Sequence, residues 1–178
     1  TILACSAENS RDWVRPSTGK DDIVLVTAQG QSIRFSEKTV RAMGRNAAGV
    51  RGIRLKKKGD RVIGMDIVEP DAVNKNMLEL FVLSANGLGK RTNLKEYKMQ
   101  GRGGSGIKTM NVTLKTGEIK AGIVCNAKDE RDLIIISSKG QVIRLPFNTV
   151  KKSGRATQGV RLMRFKEVSD KVATVTFI

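Results

Sequence analysis

Three stretches of the chain run through apolar and polar positions in the same order. Each opens on an unbroken β-rich run, at residues 23–27, 80–84 and 133–137. Such runs predict strands covered on both faces. A glycine follows, Gly30, Gly87 or Gly140, where a tight hairpin needs positive φ. A second strand comes next (residues 32–35 and 142–145), with an arginine four residues after each glycine: Arg34, Arg91 and Arg144. About ten polar residues then lead to a third strand, "GVRGIRL", "GIKTMNV" or "GVRLMRF". On that strand Ile53 and Leu55, Met110 and Val112, and Met163 and Phe165 share one parity and are predicted to face the core. Arg54, Asn111 and Arg164 point the other way. A fourth strand closes each unit at 62–68, 119–125 and 172–178.

The three units superpose without a gap over 33-residue windows, 23–55, 80–112 and 133–165, at periods of 57 and 53 residues. Fourteen residues after each turn glycine stands a Gly-Arg pair, Gly44-Arg45, Gly101-Arg102 and Gly154-Arg155, with a further glycine at Gly49, Gly106 and Gly159. Periods near 50 with four strands each predict an all-β, propeller-like array of blades over 23–68, 80–125 and 133–178. Residues 1–22 match the end of a unit: "ILACSAENSRD" aligns with "IVCNAKDERD", and Cys5 with Cys125. They read as a last strand and linker. The chain has no initial Met, and three units fall short of the roughly four that close a ring, so residues 1–178 are expected to be a single-array fragment of a longer protein.

Charge adds a partner to this picture. Lys and Arg number 33 against 17 Asp and Glu, a net of +16. The excess is confined to one part of each unit: residues 30–58, 87–115 and 140–166 carry net +8, +6 and +7. The rest of the chain is acidic, with its carboxylates in linkers such as "EPDAV" and "KDERD". Radial repetition turns such segregation into a basic track along one rim, suited to a polyanion. Aromatics are 4% of residues, too few for the stacking platforms that hold single strands, so a duplex backbone fits better. The chain has no histidine and two cysteines, which removes His-based catalysis and any cysteine framework. No apolar run is long enough for a helical membrane span, and no membrane partner is expected.

The motifs "MGRNAAGVRGIRL", "NGLGKRTNLKEY", "QGRGGSGIKT" and "GQVIRLPFNTVKKSGRATQGVRLMRF" closely resemble the C-terminal domain of DNA gyrase A. The resemblance covers essentially the whole chain. The corresponding domain of topoisomerase IV, with more degenerate repeats, is the near alternative. The resemblance implies a β-pinwheel, a propeller-like fold in which neighbouring blades exchange a strand, here about three blades plus the tail of a preceding one. It implies duplex DNA bound and wrapped on a basic perimeter, with the remainder of the gyrase A protein and the gyrase B protein as partners in the bacterial cytoplasm. ATP and Mg²⁺ would be used on other domains of the parent topoisomerase, so no cofactor is expected here. The family's heptapeptide is QRRGGKG; Gln100, Gly101, Arg102, Gly103, Gly104, Ser105 and Gly106 read QGRGGSG, a degenerate copy without two of its basic residues.

The candidate DNA contacts are Arg34, Lys38, Arg41, Arg45, Arg51 and Arg54 in the first unit. In the second they are Lys90, Arg91, Lys95, Lys98, Arg102 and Lys108. In the third they are Arg144, Lys151, Lys152, Arg155, Arg161 and Arg164. Arg34, Arg91 and Arg144 serve equally well as structural residues bonding turn carbonyls. The Gly-Arg loops lack the Lys-Ser/Thr and following helix of a phosphate-binding P-loop. Tyr97 has Val40 and Val150 as its counterparts, which makes it a packing position rather than a nucleophile. A propeller-type scaffold for an acidic protein is the second functional class.

Overall fold

The computed structural model describes residues 2–7, 10–44 and 47–178, those before Trp13 as backbone. The strands are β1 (Ile2–Ala7), β2 (Ser10–Pro16), β3 (Asp22–Thr27), β4 (Gln31–Ser36), β5 (Val62–Val68), β6 (Leu78–Ser84) and β7 (Leu88–Asn93). They continue as β8 (Ile107–Lys108), β9 (Ile119–Asn126), β10 (Asp132–Ser137), β11 (Val142–Pro146), β12 (Val160–Arg161) and β13 (Val172–Phe177). Among the described residues one short α-helix, α1 (Pro70–Asn74), lies in the first inter-unit linker and inserts Val73 into the core. All strand pairings between these elements are antiparallel.

The sequence unit and the spatial sheet are offset by one strand. The sheets run β5-β3-β4-β8, β9-β6-β7-β12 and β13-β10-β11, with β1-β2 a two-stranded sheet. Thus β8 belongs to the second unit but pairs with β4 of the first, Gln31 opposite Lys108. Likewise β12 of the third unit pairs with β7 of the second, Val160 opposite Gly89. The turn glycines serve this exchange as well as the hairpin. Gly30 and Gly87 have φ of +87° and +77°. A Cβ on either would stand 2.5 Å from a carbonyl of the incoming strand, that of Met110 or Met163.

The unbroken apolar runs follow from stacking of the sheets. β3 sends Ile23 and Leu25 into one core layer, with Ile33, Phe35 and Ile53. It sends Val24 and Val26 into the next, with Leu80, Val82, Leu94 and Tyr97. β6 repeats this, its Phe81 and Leu83 joining Leu133, Ile135, Phe147 and Met163. β10 is covered on one face only: Leu133 and Ile135 are buried, while Ile134 and Ile136 are half-buried. The fourth strands β5 and β9 meet so closely that a Cβ on Gly64 would stand 2.4 Å from the Gly122 carbonyl oxygen.

The one-sided cover of β10 departs from the expectation for residues 133–137, because no further sheet packs on its other face among the described residues, and three other expectations change. Residues 10–16 are not linker but strand β2, paired with β1, because Trp13 packs against the Ile23 layer. The third strands are two-residue ladders rather than seven, and residues 49–55 of the first unit join no ladder among the described residues. Leu55, predicted for the core, is 41% exposed. The chain has already turned outward there into the 55–60 tip, where strand parity has no sheet to act on.

Candidate nucleic-acid interface

The basic segments of successive units are joined physically. After each second strand a short 3-10 turn (Glu37–Thr39, Leu94–Glu96, Phe147–Thr149) leads out toward the Gly-Arg loop. The loop of one unit then lies on the preceding unit. Gln100 N donates to the Arg34 carbonyl at 2.8 Å, and Gly103 N to the Gly52 carbonyl at 2.7 Å. Arg102 Nε and NH1 donate to the carbonyls of Thr39 and Arg51 at 3.1 and 2.9 Å. One unit on, Arg91 N donates to the Lys151 carbonyl at 3.1 Å, and Arg155 NH1 to the Lys108 carbonyl at 3.1 Å. Lys108 is the counterpart of Arg51, so both Gly-Arg arginines clasp the same position of the unit before. Each uses part of its five-donor guanidinium and stays half-buried.

On the same basic segments stand Lys38, Arg41, Arg51, Arg54, Lys95, Lys98, Lys108, Lys151, Arg161 and Arg164, all exposed. None of the ten makes an ion pair among the described residues. Their charge is uncompensated in a solvated setting suited to an external polyanion. Lys152 is exposed as well but bonds Glu79 at 2.7 Å. Arg144 is exposed and paired with Asp132 at 2.5 Å.

The comparisons with known proteins bear on this arrangement. The family model described as DNA gyrase C-terminal domain, beta-propeller, matches residues 21–69, 78–126 and 131–178. The chain belongs to the DNA gyrase C-terminal domain family. The DNA gyrase A protein of Staphylococcus epidermidis (strain ATCC 12228) is 43% identical over 151 residues, covering 85% of this chain and 16% of that protein. Its Staphylococcus aureus (strain MRSA252) equivalent is 40% identical over the same lengths and shares. The chain therefore spans about one sixth of the relatives it matches. The fold is likewise that of solved relatives. A DNA gyrase A C-terminal domain superposes with a TM-score of 0.76 at 22% identity, over 95% of this chain and 55% of that one. A C-terminal domain of DNA topoisomerase IV gives 0.81 at 21% identity, over 96% and 51%. The architecture is the β-pinwheel of this gyrase family, exchanged strands included.

Three predicted contacts are corrected. Arg34 is 8% exposed and its Nε and NH2 donate to Asp22 Oδ2 at 2.8 and 2.6 Å. Arg91 is 4% exposed; it donates to the Val150 and Asn148 carbonyls at 2.9 and 2.8 Å and faces Glu79. Lys90 is fully buried. An arginine in mid-strand, facing the next unit, is enclosed once that unit docks. The pairing, though not the enclosure, was present in the sequence: Arg34, Arg91 and the exposed Arg144 each have an acid twelve residues earlier, Asp22, Glu79 and Asp132. That spacing puts the pair diagonally across the hairpin on one face, the acid two residues before the arginine's direct partner Val24, Phe81 or Ile134. Arg45 lies outside the described residues.

Two further groups are explained by enclosure. Tyr97 is buried, with its hydroxyl 2.6 Å from Thr109 Oγ1, and burial pushes its pKa up to about 12. It is a core residue. In the GRGGSG segment Gly103 and Gly106 have φ of +79° and +70°. The segment feeds β8 rather than a helix, so it lacks the helix terminus of a phosphate loop.

Proposed function

We propose that this chain binds duplex DNA along the rim formed by its joined basic segments and bends it, as part of the A protein of a bacterial gyrase. The carrying observation is the set of ten exposed basic side chains without ion pairs among the described residues, on segments that touch end to end. Several acids, by contrast, are tied up in ion pairs such as Asp22–Arg34 and Glu118–Arg61. Lysines and arginines spaced along a curved edge neutralise phosphates without reading bases. Bending a duplex by 40–90° costs about 1–6 kcal/mol, which a continuous row of contacts offsets. In the parent enzyme this would present a DNA segment to the cleavage core, with the rest of the gyrase A protein and the gyrase B protein as partners. ATP and Mg²⁺ would act on other domains, in the bacterial cytoplasm. The 40–43% identity to gyrase A proteins supports gyrase over topoisomerase IV.

The test is binding to linear duplex across a salt series. Neutralising about six phosphates gives a slope of about −5 in log K against log salt, or roughly 10³-fold weaker binding from 50 to 200 mM. A flat dependence, or tighter binding to an acidic protein than to duplex, overturns the reading. Linking-number change after ligation around the bound chain tests the bend itself.

A further inference from the structure

Lys90 has no carboxylate partner among the described residues although it is fully buried. Its Nζ instead sits in a cage of loop oxygens from the next unit. It donates to the carbonyls of Gly154 and Arg155, each at 2.6 Å, and to Thr157 Oγ1 at 3.1 Å. An ammonium carries three donors and no acceptor, so the cage uses all of them. Burial holds Lys90 down to about 8, with Arg155 acting in the same direction and Glu96 against it.

The counterpart of Lys90 in the first unit is Ile33, which is 1% exposed. It lies beneath the GRGGSG loop, where a Cβ on Gly104 would stand 3.5 Å from its Cδ1. Gly104 is the counterpart of Thr157. An apolar side chain therefore sits beneath a glycine loop that offers it no side chain. A lysine sits beneath GRATQG, whose threonine supplies an acceptor.

We propose that Lys90 is the positioning residue for the Arg155 rim contact, and that the second-strand residue of one unit and the Gly-Arg loop of the next are matched pairs, Lys90 with GRATQG and Ile33 with GRGGSG. The proposal rests on the duplex-binding reading for its consequence and on loop geometry for its cause. With the carbonyls of residues 154 and 155 turned inward onto Lys90, no carbonyl dipole of that pair faces an approaching phosphate. The Arg155 guanidinium is then held between the Lys108 carbonyl and the rim, 5.9 Å above the Tyr97 ring. Lys90→Ile strips three acceptors of their donor while keeping the apolar stem.

The experiment compares three proteins: the 178-residue chain, K90I, and K90I carrying Ala156→Gly, Thr157→Gly and Gln158→Ser, which recreates the Ile33 pairing one unit along. Amide exchange over 154–158 reads docking without DNA. Salt-dependent duplex affinity reads the contact. K90I is expected to speed exchange there about tenfold or more and to lower the salt slope by about one, the loss of a single phosphate contact. The combined variant is expected to recover both. Unchanged exchange in K90I, or a combined variant no better than K90I, overturns the matched pairing even if wild type binds duplex normally. If the exchange pattern appears but wild type binds no duplex, the duplex reading falls and the positioning role with it. Should K90I not fold, the wild-type side-chain ¹⁵N spectrum decides: slowly exchanging ammonium protons at Lys90 but not at exposed Lys38 support the cage, and fast exchange at both overturns it.

Discussion

At the scale of residues, the basic side chains divide by whether a neighbouring unit covers them. Arg91 is enclosed with Glu79 and two carbonyls, whereas Lys98 and Lys108 stand exposed and without an ion pair among the described residues. Removing Arg91 leaves the buried Glu79 with Lys152 as its one ion-pair partner among the described residues and strips the Val150 and Asn148 carbonyls of their donor, so Arg91→Ala is expected to cost about 3 kcal/mol, read as a lower urea midpoint. The double variant K98E/K108E is expected to stay within about 0.5 kcal/mol of wild type at each position while weakening duplex binding and flattening its salt slope. Equal loss of stability in both would contradict the division. Charge alone does not separate these residues, because Lys90 and Lys108 carry the same ammonium and differ in their neighbours. The acid twelve residues upstream of Arg34, Arg91 and Arg144 marks the ion-paired arginines, but not the enclosed ones, since Arg144 carries the mark and is exposed.

At the scale of elements, the strand pattern was legible wherever both faces of a strand are covered. The runs in β3 and β6 lack alternation because two core layers draw on each of them. The third strands were less legible: parity placed Ile53, Met110 and Met163 correctly in the core. It carried no information on which sheet would receive the strand. The closely packed fourth strands β5 and β9 show how little slack remains. A methyl group on Gly122 would lie 2.8 Å from Val26 Cβ, inside a fully formed core layer. Gly122→Ala is expected to destabilise by about 1–3 kcal/mol through overpacking, seen as a fall in melting temperature. Gly101→Ala, with open space around it, is the control that leaves stability near wild type.

At the scale of the whole molecule, the units are tied across their boundaries by ion pairs as well as apolar layers. Arg61 of the first unit donates to both Glu118 oxygens of the second at 3.0 and 2.8 Å, and Lys120 bonds the same carboxylate at 2.7 Å. The Arg61 hydrogen bonds hold Glu118 down at about 2, below its ordinary 4.5. A carboxylate depressed in the folded state stabilises fully above its unfolded pKa. That contribution is therefore present above about 4.5 and is lost as pH falls toward about 2. Acid titration of stability should show it, and Glu118→Gln should flatten that part of the curve. An identical acid limb in E118Q would remove Glu118 from the account.

The sequence by itself determined the repeat, the all-β class, the hairpin glycines and the segregation of charge, because each is a local pattern or a sum over residues. Tertiary structure alone decided which sheet each third strand completes and where α1 and β2 form. It also decided which repeated cations are enclosed. Those outcomes depend on contacts between residues about sixty positions apart, such as Lys90 with Gly154 or Arg102 with Thr39. A lysine in a strand reads the same whether water or a loop of carbonyls lies above it, and only the docking of the next unit makes the difference.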